Sequence, residues 1–323
     1  MSTKTQADSL DFLKCLLQQL QACETDFPSP DYLERPQIQA IQVDLADNQT
    51  LQFDPFFFQP HPEGILHKYE AVYDKDKRMP RLSIPTLAQV LEDIQEDYPN
   101  NKDILRIGTR EEIREDEEIL RIATSQHERL IEWSKFDDWY HDAQGVYNHV
   151  NWQLTTLRKG GPYSHLEDLV PQEYCWYTDR RGDPPTVVLT PYDRRWRVLH
   201  HYRYSQVEGP IKPHSVMACI AHARPDVGKG PLTIFELQAI VGMMILRVSR
   251  IPFRKFRVHP VLAFCYLGKR ARIIQAFFDG KILNLQYSRV WAFEDENTAP
   301  TELFVRYHLS QPVGLESSTL YIR

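Results

Sequence analysis

Apolar residues recur with two different periods along this chain, and the change of period falls near Gly160. Before it, spacings of three and four predominate. Leu10, Leu13, Leu16, Leu17 and Leu20 form one stripe behind Asp8 and Ser9, which can cap a first helix. From Gln37 to Phe53 the pattern turns strand-like around Ala46-Asp47-Asn48, and Phe56-Phe57-Phe58 with Pro60 and Pro62 reads as a packed loop. Leu87, Val90, Leu91 and Ile94 predict a short helix over 85–97. Two capping boxes follow, Thr109 with Glu112 and Ser125 with Glu128. The second opens a helix that can reach Gly160, with Trp133, Phe136, Tyr140, Ala143, Tyr147, Val150, Leu154 and Leu157 along one seam. Gly145 weakens that run, since a glycine inside a helix costs roughly 1 kcal/mol.

Past Gly160-Gly161-Pro162 the period shortens to two. Strands are predicted at 186–190 and 196–204, and Thr233 with Glu236 opens a nearly all-apolar helix through Val248. Strands over 261–267, 272–278 and 281–287 follow, joined by Gly268-Lys269-Arg270 and by Asp279-Gly280, a strong hairpin signal. A last strand is expected at 302–308. The predicted class is α+β: a helical N-terminal half, then a C-terminal antiparallel β-meander packed on a buried helix. The regions divide as residues 1–160, acidic and mainly helical, and 161–323, basic and sheet-rich, with one shared core possible.

Charge sharpens that division. Residues 1–150 hold 15 Lys and Arg against 29 Asp and Glu, whereas residues 151–323 hold 23 against 15, within a chain of net charge −6. Between Arg158 and Arg289 there are 21 basic and 10 acidic residues interleaved with aromatic ones, a composition suited to binding a polyanion. The acidic half docking on the basic half explains the same numbers. The apolar run 237–248 is about half a bilayer span, so no membrane segment is expected. The opening residues lack a signal-peptide pattern, and five scattered cysteines without CxxC spacing suit reduced thiols in the cytosol.

Candidate chemistry falls in four places. On the strand 194–204, period two puts Trp196, Val198, His200, Tyr202 and Tyr204 on one face, with Arg195, Arg197, Leu199, His201 and Arg203 on the other. Aromatic faces stack on bases and arginines pair with phosphate, while an ordinary strand with one core side has the same pattern. Lys229, in the glycine-flanked loop before the 233–248 helix, can meet an anion, although the Walker spacing is absent. Arg254, Lys255, Arg257, Lys269, Arg270 and Arg272 belong to a stretch with no acidic residue between Glu236 and Asp279. With Arg194, Arg195, Arg197, Arg203 and Lys229 they make up the expected phosphate-binding set. Asp137-Asp138 is the only Asp-Asp pair in the chain. On a helix Asp138, His141 and Asp142 share a face, where they can move a proton or hold a cation, or simply be solvated. No zinc, Rossmann, serine-hydrolase or kinase signature is present, so no metal or cofactor is expected.

Residues Phe256 to Gly314 carry a PVL strand, a Gly-basic turn, a hairpin ending in FDG and an LF-to-PVG closing segment. This segment resembles a large group of filamentous-fungal proteins. The chain is also similar to the fungal arginine-containing cyclodipeptide synthases, enzymes of secondary metabolism that join arginine and a second amino acid from aminoacyl-tRNAs. Asp137-Asp138 matches the first two positions of an acidic DDxxE-type motif, and His141 stands where the motif has Glu. The resemblance implies Asp137, Asp138 and His141 as catalytic residues, with Asp142, Trp133 and Tyr140 on the substrate. Two competing readings remain, an RNA-binding module without turnover and an enzyme acting on a small neutral molecule.

Overall fold

The computed structural model describes residues 2–23, 25, 38–46, 49–72, 138–159, 164–170, 172–174, 196–204, 212–221, 232–250, 253 and 256–314, with backbone alone at 2–8, 138, 172–174 and 200–204. The expected helix over 85–97, the capping boxes at Thr109 and Ser125, and the strand at 186–190 lie outside these residues. So do Trp133, Asp137, Arg194, Arg195, Lys229, Arg254 and Lys255.

The centre is one mixed sheet. Its strands are β1 (Ile38–Val43), β3 (Gln172–Tyr174), β4 (Trp196–Tyr204), β5 (Ser215–Ala221), β6 (Val261–Tyr266), β7 (Arg270–Phe278) and β8 (Leu283–Ser288), in the order β1-β8-β7-β6-β5-β4-β3. The short β9 (Trp291–Ala292) pairs with the start of β7, and β2 (Phe58–Gln59) pairs with β10 (Gln311–Pro312). Helices α1 (Ser2–Gln21) and α4 (Ile234–Ser249) cover one face. Helices α2 (Ile65–Lys68), α3 (Asp138–Thr155) and α5 (Thr301–His308) lie on the other.

The α+β expectation is therefore corrected to mixed α/β. Helices are not confined to the N-terminal half, and the sheet contains two parallel pairs, β1 with β8 and β5 with β6. The meander 261–287 forms as β6, β7 and β8, but α4 is the crossover between β5 and β6 rather than a backing added to a finished meander. A parallel pair requires such a connection. The segment expected as a last strand is α5. Leu303, Val305 and Tyr307 alternate as in a strand, yet Leu303, Phe304 and Tyr307 fit a helical turn equally well, and packing of Phe304 on Trp291 and Phe293 favours the helix.

Residues from both halves of the chain share the cores. Leu13, Leu16, Leu17 and Leu20 of α1 pack with α4, β4 and β5, and Ile38 of β1 joins the same cluster. The α4 capping box closes as predicted, with the Glu236 amide donating to Thr233 Oγ1 at 3.1 Å and the Thr233 amide to Glu236 Oε2 at 2.7 Å. On the opposite face Gln275 and Gln286, paired across β7 and β8, receive the Phe57 and Asp54 amides at 3.0 and 2.8 Å. These side chains take the place of a strand partner for residues 54–57.

Candidate functional site

Strand direction decides which of the sequence features can meet. β1, β3, β5, β6 and β8 run one way, β4 and β7 the other. The turn Gly268-Lys269-Arg270, the first residues of β4 and the residues after β8 consequently lie on one margin of the sheet. Ligand sites of open α/β sheets also sit where parallel strands end. Arg203 and Arg257 fall on the opposite margin, at the end of β4 and before β6. A β-bulge between Val198 and His200 further puts Arg197 and Arg203 out of phase: Arg197 pairs with Ile220, Arg203 with Ser215. The basic residues expected as one platform are thus divided.

The first turns of α3 meet the basic residues of the first margin. Arg197 Nη1 donates to Tyr140 Oη at 3.0 Å, and Lys269 Nζ lies 3.8 Å from Asp142 Oδ1. Tyr140 is buried, Arg197 exposed, and Asp142 and Lys269 keep 20% and 45% side-chain exposure. A pair this open to water contributes on the order of 0–1 kcal/mol, so it does not hold the fold together. Asp138, His141 and Asp142 stand at i, i+3 and i+4 of one helix, as the sequence predicts. The His141 ring is half-buried, edge-on to Tyr140 at 5.9 Å. Below this turn Ala143, Val146 and Tyr147 are buried on the sheet, with Tyr147 edge-on to Tyr266 at 5.6 Å. One stretch of helix therefore carries carboxylates and an imidazole, with a guanidinium against Tyr140 and an ammonium against Asp142.

Several expected site residues have other roles. Arg272 is 1% exposed, with Nε 2.9 Å from Glu236 Oε1, so it is half of a core ion pair and not a phosphate ligand. The partner carboxylate sits at the capped start of α4, and the pair ties that helix to β7. Trp196 and Val198, the expected stacking face, are also core: Trp196 Nε1 donates to Gln238 Oε1 at 2.6 Å, and Gln238 Nε2 donates to Leu20 O at 2.9 Å. Arg257 is exposed on the far margin and Arg270 is half-buried on the near one.

Searches of protein-family descriptions, curated proteins and solved structures find no significant match for this chain.

Two features were not anticipated. Arg289, exposed after β8, joins the near margin, its guanidinium 5.8 Å from the Trp291 ring centre. The sequence offers it only as the last member of the basic stretch that begins at Arg158. Cys219 and Cys265 face each other across the parallel pair, Sγ to Sγ 3.4 Å, both buried and free. Burial pushes the Cys265 thiol well above its ordinary range, followed by its contact with Cys219. This keeps it protonated and inert. Among the described residues no group of three or more His, Cys, Asp or Glu is placed to hold a metal ion, and no helix is long and apolar enough to cross a membrane.

Proposed function

We propose that this chain is a cytosolic aminoacyl transferase that joins arginine to a second amino acid, both supplied as aminoacyl-tRNAs, and closes them into a cyclic dipeptide. The observation that carries this reading is the position of the Asp138–Asp142 turn of α3, with Arg197 on Tyr140 and Lys269 on Asp142. Such a turn can receive an ammonium or guanidinium group while the neighbouring cations take the phosphates attached to it. Asp137 and Asp138, with His141, take a proton from one α-ammonium group. The freed amine attacks the ester carbonyl of the other aminoacyl-tRNA, whose terminal ribose hydroxyl leaves. The remaining α-amine then attacks the second ester, closing the ring and releasing the second tRNA. Asp142, Tyr140 and Trp133 are assigned to the amino-acid portion, with a carboxylate for the guanidinium. The ester bond is already activated, so the reaction calls for no further cofactor.

Mass spectrometry of extracts from a host expressing this chain tests the reading. A new arginine-containing cyclodipeptide is expected, absent from hosts expressing Asp137→Ala or Asp138→Ala. No new product, with RNA co-purifying at low salt, would instead make the protein an RNA-binding module. A product without arginine or RNA dependence would point to a small-molecule enzyme.

A further inference from the structure

We infer that the near margin of the sheet is a track for the single-stranded 3′ end of an RNA, running from Arg197 past the start of α3 to Lys269, Arg270 and Arg289. This rests on the proposed use of aminoacyl-tRNA and adds where its phosphates go. Arg197 comes from the start of β4, Lys269 and Arg270 from the β6–β7 turn, and Arg289 from the end of β8. Fold topology, not sequence proximity, brings them to one margin.

Three observations support a polyanion there. Arg197, Lys269 and Arg289 are exposed. Arg197 is engaged by the neutral Tyr140 hydroxyl and Arg289 by the Trp291 ring, so neither is neutralised by a carboxylate among the described residues. Among the described residues Lys269 pairs with Asp142, in a pair weak enough to exchange for a phosphate. Adjacent strands stand about 4.8 Å apart, so β4 to β8 spans roughly 19 Å. That is room for several successive phosphates of an extended single strand. Acidic residues on this side limit the track. Glu294, Asp295 and Glu296 follow β9 and are exposed, and Asp295 accepts the Asn297 amide at 3.0 Å within its own turn. The Phe293 amide donates to Lys269 O at 2.8 Å, so this acidic run begins beside the β6–β7 turn and bounds the track on the β9 side. Between Lys269 and Arg197 the track passes the first turns of α3, where the aminoacyl ester is required.

The test measures binding of the full-length protein to a fluorescent single-stranded RNA of about ten nucleotides, and to uncharged tRNA, as a function of salt. Each phosphate contact contributes about 0.7 to the slope of log K against log salt for a single strand. Arg197→Ala, Lys269→Ala and Arg289→Ala are each expected to reduce the slope by about that amount and to weaken binding several-fold. Arg203→Ala and Arg257→Ala on the opposite margin, and Lys281→Ala on the exposed hairpin, are expected to leave it unchanged. The inference is overturned if wild-type protein binds neither RNA, or if the far-margin variants lower the slope and the near-margin ones do not. Its fate is separable from that of the proposed reaction. RNA bound at this margin without cyclodipeptide formation removes the reaction and keeps the track; product formation with unaltered slopes in the near-margin variants does the reverse.

Discussion

Single side chains in this protein divide between those that hold the fold and those left for chemistry, and the Glu236–Arg272 pair shows how. Both groups are buried, and each charge is tolerable only because the other is 2.9 Å away. Arg272→Met strands a buried carboxylate and is expected to destabilise the protein by about 3–5 kcal/mol in urea unfolding. Adding Glu236→Gln removes the stranded charge while its amide oxygen can still accept the Thr233 amide. The double variant should therefore recover part of the loss; a double variant as unstable as Arg272→Met alone would refute the pairing. The sequence marked Arg272 as one more basic residue in an acid-free stretch. Its acid partner lies 36 positions upstream, and only the crossover that returns α4 over β7 brings them together.

At the scale of elements, what was legible followed local rules and what was missed followed long-range ones. The α4 capping box, the Asp279-Gly280 hairpin and the helical face of Asp138, His141 and Asp142 all depend on residues within four positions, and all are present. The parallel pairing of β1 with β8 joins segments more than 240 residues apart, and no period encodes such a partner. The bulge after Val198 likewise breaks an alternation that looked unbroken in sequence. Turn glycines give a measurable contrast at this scale. Gly268 and Gly314 both have positive φ, 64° and 80°, but a Cβ on Gly268 meets nothing within 4 Å, whereas on Gly314 it would lie 2.4 Å from Phe56 O. Gly268→Ala should cost about 1–2 kcal/mol from backbone conformation alone. Gly314→Ala adds a collision with backbone that cannot rotate away, beside the closing β2–β10 pair. Thermal melts should show a clearly larger loss for Gly314→Ala; equal losses would mean that the β2–β10 closure yields easily.

For the molecule as a whole, the opposite charges of the two halves are partly spent on one another, as at Asp142 and Lys269, and partly left exposed at one sheet margin. Global stability is tied to a different charge problem at the far margin. His214 and His259 are buried beside Arg247, which donates to His214 O at 3.0 Å and lies over the Phe253 ring. Burial, first, then the charges of Lys212 and Arg247 at His214 and of Arg247 at His259, lower both imidazoles from the ordinary value of 6.5 to about 3, although each has a backbone carbonyl that favours the protonated form. The unfolded chain takes up these protons near pH 6.5, while the folded protein refuses them until about pH 3. Stability contributed by the two neutral rings is thus whole above pH 6.5 and drains away as pH falls toward 3. Urea midpoints measured from pH 7.5 down to pH 4 should fall steeply in the wild type. His214→Gln and His259→Gln keep an amide donor for the Val313 and Phe256 carbonyls but cannot titrate. Each variant should flatten the acid limb of that curve, whatever it costs at neutral pH. Limbs parallel to wild type would show that the acid response arises elsewhere.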